Sequence, residues 1–188
     1  MTQPFLFLDT ETGGLDPHSH SLLSLGLVVG DAAGVQDSLE ILVKHEPYVV
    51  SAGGMKVNRI DLVRHSETAL EPALALKVLE VFLGHHFPHR CQPIILAGHN
   101  VGFDQAFLKT FLASQGQPLE PRFSHRVVDT HSIAAALRDA GQLPGTELSS
   151  SALFAHFAIE PPAEQRHTAL GDALATFALY WKLVELMK

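Results

Sequence analysis

Two carboxylates follow the first apolar segment of the chain and could bind a metal ion. Asp9 and Glu11 come directly after the apolar residues 5–8, and residues two apart in a strand point to the same face. Carboxylates this close repel each other unless a cation, a proton or hydrogen bonds offset the repulsion. Hard divalent cations such as Mg²⁺ favour clustered oxygen ligands. The pair therefore indicates a cation site, while two solvated turn residues after an edge strand would give the same pattern.

Two later carboxylates lie where helices are predicted to begin. Asp104 ends the segment Gly98-His99-Asn100-Val101-Gly102-Phe103-Asp104 and opens a helical pattern. Asp172 lies near the start of the last predicted helix, in the apolar sequence Ala169-Leu170-Gly171-Asp172-Ala173-Leu174. A charge in apolar company usually has a partner or a metal, whereas the helix dipole alone favours a solvated carboxylate at a helix start. Taken singly, each residue fits both interpretations.

A histidine precedes the last of these carboxylates. His167 lies five residues before Asp172, so on a continuous helix the two side chains would point about 140° apart. They can reach one site only if His167 lies on the preceding loop or in the first helical turn.

The elements that must position these residues are predicted from apolar periodicity. Three closely spaced strands, predicted over residues 5–9, 22–30 and 35–44, indicate an antiparallel meander. Strands then alternate with helices, which is typical of parallel strands joined by crossovers. These later elements are predicted as a helix from residue 72, a strand over 94–97, a helix over 103–112, a strand through 127–128, a helix over 132–138 and a helix over 168–187. The predicted fold class is α/β, a mixed five-stranded sheet with helices on both faces.

Composition limits the class of protein. The chain has 188 residues, a net charge of −7 and 46% hydrophobic residues, which fits one domain over residues 1–188 with a substantial core. Its single cysteine, Cys91, excludes an internal disulfide framework.

The sequence has no signal-peptide pattern and no apolar run long enough to cross a bilayer, so we expect a cytoplasmic protein that does not bind membranes. The acidic balance argues against broad attachment to phosphate backbones.

Together the motifs resemble a known family. Asp9-x-Glu11, Asp104 in a Gly-His-Asn-x-x-Phe-Asp context, and His167-x-x-x-x-Asp172 resemble the DnaQ-like DEDDh 3′–5′ exonucleases, which include proofreading subunits and ribonuclease T relatives. The motifs occur in the family's order and extend over nearly the whole chain. The resemblance implies an RNase H-like fold and a hydrolase that cleaves phosphodiester bonds at the 3′ end of DNA or RNA, releasing nucleoside 5′-monophosphates.

The resemblance also implies two divalent metal ions, Mg²⁺ or Mn²⁺, as cofactors. Asp9, Glu11 and Asp172 would coordinate one ion. Asp9 would bridge to a second ion, which Asp104 would hold largely through water. His167 would be the general base that removes a proton from the attacking water.

Further residues are implied to contact the substrate: Thr12, Leu15, Ile60, Asn100 and Phe103. Gly13 stands where the family usually has a second threonine. The expected partner is the 3′ end of a single-stranded nucleic acid, and a homodimer is left open. Because no docking tail follows the last predicted helix, we expect a freestanding nuclease more than a polymerase-bound one.

Two rival functions share parts of the pattern. A phosphatase of the haloacid-dehalogenase type would also place an aspartate after an apolar strand, but it needs a second aspartate where this chain has Glu11, and a further one after Gly171-Asp172, where residues 173–177 contain none. An exonuclease-like adaptor without turnover would be expected to lose one of the acids, and all are present.

A second metal site, formed by His85, His86, His89 and Cys91, is less favoured than solvated histidines at the end of a helix. DNA and RNA are both retained as substrates.

Overall fold

A mixed sheet lies at the centre of the structure. Within residues 4–88, 92–160 and 168–188, which the computed structural model describes, five strands form one sheet. They are β1 (Phe5–Thr12), β2 (Leu22–Asp31), β3 (Gly34–Leu42), β4 (Ile94–Gly98) and β5 (Phe123–Asp129). In the order β3-β2-β1-β4-β5, the first three strands pair antiparallel, while β4 runs parallel to both β1 and β5. The predicted fold class is confirmed, although β3 ends two residues before the predicted strand.

Helices connect and cover the strands. The described part of the chain contains α1 (Ala52–Asn58), α2 (Leu62–Thr68), α3 (Pro72–His86), α4 (Gly102–Ser114), α5 (Thr130–Asp139), α6 (Ser150–His156) and α7 (Ala169–Leu186). The sequence prediction lacks α1, α2 and α6, because a helix of seven residues is too short to show helical periodicity. Of these described helices, none has the length and apolar character that crossing a bilayer requires.

The side chains of β1 alternate between the two faces of the sheet and so contribute to two layers of the core. Leu6 and Leu8 are buried in a cluster that includes residues of α3 and α4. Phe7 points to the other face and packs with Ala173 and Phe177 of α7. Because side chains alternate along a strand, residues 9 and 11 continue the face that α7 covers, whereas Thr10 continues the face that α4 covers. One strand therefore contacts both helices that carry the predicted later acids.

A glycine lets α7 begin directly on the sheet. In the strand register, Asp9 of β1 lies opposite Gly26 of β2, and Gly26 lies opposite Glu40 of β3. A Cβ atom on Gly26 would lie 2.1 Å from the backbone carbonyl carbon and oxygen of Ala169. A glycine inside a strand often marks such a close backbone approach. The position of α7, and with it that of Asp172, thus depends on the missing side chain at residue 26.

Substituting this glycine should destabilise the protein. In Gly26→Ala the new methyl group meets backbone atoms that no side-chain rotation can move, so we expect the free energy of unfolding to fall by about 1–3 kcal/mol. Urea denaturation measures the change. The matched control is Gly84→Ala in α3, where a Cβ meets no atom within 4 Å and helix propensity predicts a gain of about 0.5–1 kcal/mol. Equal stability of Gly26→Ala and the wild type would contradict the close approach.

Candidate metal centre

Three carboxylates meet at the carboxyl end of β1. One oxygen each from Asp9, Glu11 and Asp172 can be chosen so that all lie within 4.8 Å of one another. β1 supplies the first two on one face, and the first turn of α7 supplies the third. All three residues are half-buried. We call these three residues the carboxylate cluster.

A fourth acid is held next to the cluster by β1 itself. Asp104 lies in the first turn of α4, directly after the loop that follows β4, and only 5% of its surface is exposed. The Thr10 hydroxyl donates a hydrogen bond of 2.7 Å to Asp104 Oδ1, and the Thr10 backbone also bonds this carboxylate. Because Thr10 lies between Asp9 and Glu11 in β1, the strand fixes the position of Asp104 relative to both.

Burial and mutual repulsion make this set of acids costly to ionise. Burial raises the pKa of Asp9 well above its ordinary range, and the charges of Asp104, Asp172 and Glu11 raise it further. Burial, followed by repulsion from Asp172, Glu40 and Asp104, raises the pKa of Glu11 to about 8. Burial also raises the pKa of Asp104 to about 7, against the hydrogen bonds from Thr10. Protons or cations must therefore offset the charge at neutral pH.

The donor set fits a hard divalent cation. Every candidate ligand atom in the cluster is a carboxylate oxygen, the ligand type that Mg²⁺, Mn²⁺ and Ca²⁺ prefer. Among residues 4–88, 92–160 and 168–188, no other group of three His, Cys, Asp or Glu side chains brings ligand atoms this close. His86 instead lies 2.7 Å from Asp37, and the predicted neighbours His89 and Cys91 lie outside the described residues.

Two of the predicted substrate contacts, Thr12 and Leu15, follow Glu11 at the end of β1 and in the loop after it. The Thr12 hydroxyl donates to the Gly14 carbonyl at 2.8 Å, and the Thr12 carbonyl accepts a hydrogen bond of 2.9 Å from the Asn58 side chain. Leu15 is 84% exposed. The absence of a threonine at Gly13 has a steric reason, because a Cβ there would lie 2.4 Å from the carbonyl oxygen of Val49.

The remaining predicted site residues lie on other elements. Ile60 follows α1, which Asn58 ties to the end of β1. Asn100 is exposed after β4 with a positive φ of 56°, and its backbone N–H donates to Asp129 at 2.9 Å. Phe103 packs against Phe107 with ring centroids 5.0 Å apart. The predicted general base, His167, lies outside the described residues.

Two residues of the site are not singled out by the sequence motifs. Thr10 contacts Asp104, and Glu40 of β3 receives backbone hydrogen bonds from the start of α7. The sequence gives little reason to select Thr10 as a site residue, since threonine is common in strands. A signal for Glu40 exists in the strand alternation, because it lies between the apolar Leu39 and Ile41.

The match to known proteins covers nearly the whole chain. Residues 6–180 match the protein family described as exonuclease. Ribonuclease T of Haemophilus ducreyi is 26% identical over 190 residues, which cover 97% of this chain and 86% of that protein. The DNA polymerase III subunit epsilon-like protein of Rhodobacter capsulatus is 28% identical over 184 residues, which cover 98% of this chain and 24% of that protein.

The fold also has solved counterparts. Exonuclease I of E. coli, in complex with a dT13 oligonucleotide, has a TM-score of 0.80 and 18% sequence identity to this chain. The superposition covers 98% of this chain and 41% of exonuclease I. This chain therefore spans about two fifths of exonuclease I and about a quarter of the epsilon-like protein.

Without a cation, the protein should lose stability as the pH rises. A carboxyl group whose pKa is higher in the folded than in the unfolded chain keeps its proton longer when folded, so the free energy of unfolding falls across that pH interval. For Glu11 the interval runs from 4.5 to about 8. With a chelator present, we expect a lower thermal midpoint at about pH 8.5 than at about pH 5.5.

Glu11→Gln should weaken this dependence, because the amide does not titrate, while Asp9 and Asp104, whose pKa values are also raised, still do. Asp139→Asn, on the exposed end of α5, is the control and should follow the wild type. A Glu11→Gln curve parallel to that of the wild type would show that Glu11 does not carry the effect.

Proposed function

The chain belongs to the exonuclease family, within the DnaQ-like 3′–5′ exonucleases, and we propose that its carboxylate cluster is the centre that removes nucleotides from 3′ ends. It is a 3′–5′ exonuclease and therefore a hydrolase. Because the family match extends from residue 6 to 180, neither the haloacid-dehalogenase type of phosphatase nor an adaptor without turnover is favoured.

The observation that carries the proposal is the convergence of acids from three separate elements. Asp9 and Glu11 on β1 meet Asp172 on α7, and Asp104 on α4 is bonded to the residue between them. In the proposed centre, the carboxylate cluster would hold one divalent cation, and Asp9 and Asp104 would hold a second. When bound, two such cations would stabilise the attacking and the leaving oxygen of an in-line displacement.

The protein side chains position the carboxylate ligands and supply the negative charge that would bind the cations. β1 orients two carboxylates before any cation binds, and Thr10 keeps Asp104 in one orientation through a bond of 2.7 Å. We propose Mg²⁺ or Mn²⁺ as the cation, since the cluster offers only oxygen ligands. A zinc-bound exonuclease I with single-stranded DNA further supports a cation-dependent reaction.

We assign to His167 the role of general base, which accepts the proton of the attacking water. This residue immediately precedes Thr168, which caps α7 by accepting the Gly171 N–H at 3.0 Å. The positive end of a helix dipole disfavours a charged imidazole nearby, and a general base must be neutral to accept a proton. The products would be nucleoside 5′-monophosphates.

The proposed substrate is a single-stranded 3′ end. Exonuclease I has been solved with a dT13 oligonucleotide, and another relative is a ribonuclease, so DNA and RNA are both substrates to test. We propose that the terminal nucleotide contacts the residues that the family resemblance implies: Thr12, Leu15, Ile60, Asn100 and Phe103.

The activity can be tested on end-labelled single- and double-stranded DNA and RNA with Mg²⁺ or Mn²⁺. We expect mononucleotides released from the 3′ end, faster from single strands, and no release in the presence of a chelator. Asp9→Asn should lower the rate at least about 100-fold, because it removes a ligand that both proposed cations share. Asp139→Asn should retain the wild-type rate. Full activity in Asp9→Asn, or release of inorganic phosphate from monoesters, would contradict the proposed function.

The role of His167 predicts a separate pH dependence. The rate should fall as the pH drops through about 6.5, the ordinary histidine pKa, because the protonated ring cannot accept a proton. His167→Ala should lower the rate by about 10²–10⁴-fold and remove this inflection, while leaving Mn²⁺ affinity close to that of the wild type. The same inflection in wild type and variant would assign the titration to another group.

A further inference from the structure

Glu40 lies in the same row of the sheet as the first metal-site acid. Asp9, Gly26 and Glu40 are directly opposite one another on β1, β2 and β3, and opposed residues of antiparallel strands share a face. Ile41 belongs to the core cluster on the other face, and Leu39 packs against that cluster. The Glu40 side chain therefore points to the face that α7 covers.

The start of α7 lies over this row. The peptide that joins Ala169 to Leu170 fills the space above Gly26, where a Cβ would come within 2.1–2.4 Å of its atoms. The backbone N–H groups of Leu170 and Ala169 bond the half-buried Glu40 carboxylate. Burial raises the pKa of Glu40, and these two hydrogen bonds oppose the rise.

These bonds satisfy two N–H groups at the helix N-terminus. The first four N–H groups of an α-helix have no partner within the helix. Here the Thr168 hydroxyl accepts one of them, the Gly171 N–H, at 3.0 Å, while the Thr168 carbonyl accepts the Asp172 N–H at 3.0 Å as the first hydrogen bond within the helix. Glu40 on a distant strand accepts the N–H groups of Ala169 and Leu170, and its charge lies at the positive end of the helix dipole.

We propose that Glu40 is a positioning residue, whose carboxylate fixes the first turn of α7 on the sheet and so places Asp172 beside Asp9 and Glu11. The inference rests on the proposed metal centre and extends it to a residue outside the family motifs. Asp172 follows Leu170 by two residues, about 3 Å along the helix axis. A displacement of this peptide would therefore also move the Asp172 carboxylate relative to Asp9 and Glu11.

Glu40 also acts through its charge, and the two effects must be separated. Repulsion from Glu40 contributes to the raised pKa of Glu11, so any neutral substitution changes the field of the cluster. Glu40→Asp keeps the charge but shortens the side chain by one methylene. Glu40→Gln removes the charge but keeps the length and one acceptor oxygen. Glu40→Ala removes both.

The test is Mn²⁺ affinity of the full chain, measured by electron paramagnetic resonance without substrate. Partners that orient metal ligands typically contribute 10–100-fold to affinity, so we expect Glu40→Ala and Glu40→Asp to bind Mn²⁺ at least about 10-fold more weakly than the wild type. Glu40→Gln should lose less Mn²⁺ affinity than either of these two variants. Asp61→Ala is the matched control, because Asp61 accepts the Val63 and Arg64 N–H groups at the start of α2 in the same manner. Its Mn²⁺ affinity should equal that of the wild type.

The outcomes separate this inference from the proposed function. If the wild type binds no Mn²⁺, the proposed metal centre is wrong, and the role of Glu40 fails with it. If the wild type binds Mn²⁺ and Glu40→Ala binds it equally well, only the role of Glu40 is wrong. An equal loss in Glu40→Ala and Glu40→Gln, with Glu40→Asp unchanged, would overturn positioning in favour of charge alone. Should Glu40→Ala fail to fold, the comparison of Glu40→Asp with Glu40→Gln still decides.

Discussion

Repulsion among half-buried acids is the constraint on which the rest of this structure depends. Asp9, Glu11 and Asp172 have carboxylate oxygens within 4.8 Å of one another, and Asp104 adds a fourth charge within electrostatic reach. Such a cluster costs free energy unless protons or cations neutralise it. The surrounding fold must therefore supply enough packing and hydrogen bonding to hold the acids together in the absence of a cation.

The sheet and two helices supply that support in different ways. β1 presents its acids on the α7 face and Thr10 on the α4 face, so one strand sets the geometry of both layers. Because Gly26 has no side chain, the start of α7 packs directly on the sheet. Phe7 packs on Phe177 farther along the same helix. The candidate metal centre is thus assembled from a strand and two helices, which favours well-defined ligand positions. The net charge of −7 is consistent with a protein that holds a few nucleotides at a strand end rather than long stretches of backbone.

Much of this arrangement is predictable from sequence, and the reasons are physical. The two-residue period of a strand places Asp9 beside Glu11, and alternating strands and helices predict the mixed sheet. Helix starts at Asp104 and Asp172 are visible as well, but their convergence is indicated by the family resemblance rather than by spacing. The seven-residue helices α1, α2 and α6 escape prediction because they are too short. The contacts of Thr10 and Glu40 escape it because they join elements distant in sequence, although Gly26 within an apolar strand already signals a close approach.

The most direct test of the central claim is a crystal structure of the wild-type protein with Mn²⁺, using anomalous scattering to locate the ions. The account predicts an anomalous peak coordinated by Asp9, Glu11 and Asp172. At a saturating Mn²⁺ concentration, a structure with no peak at these three carboxylates, or with the ions bound only elsewhere, would contradict it.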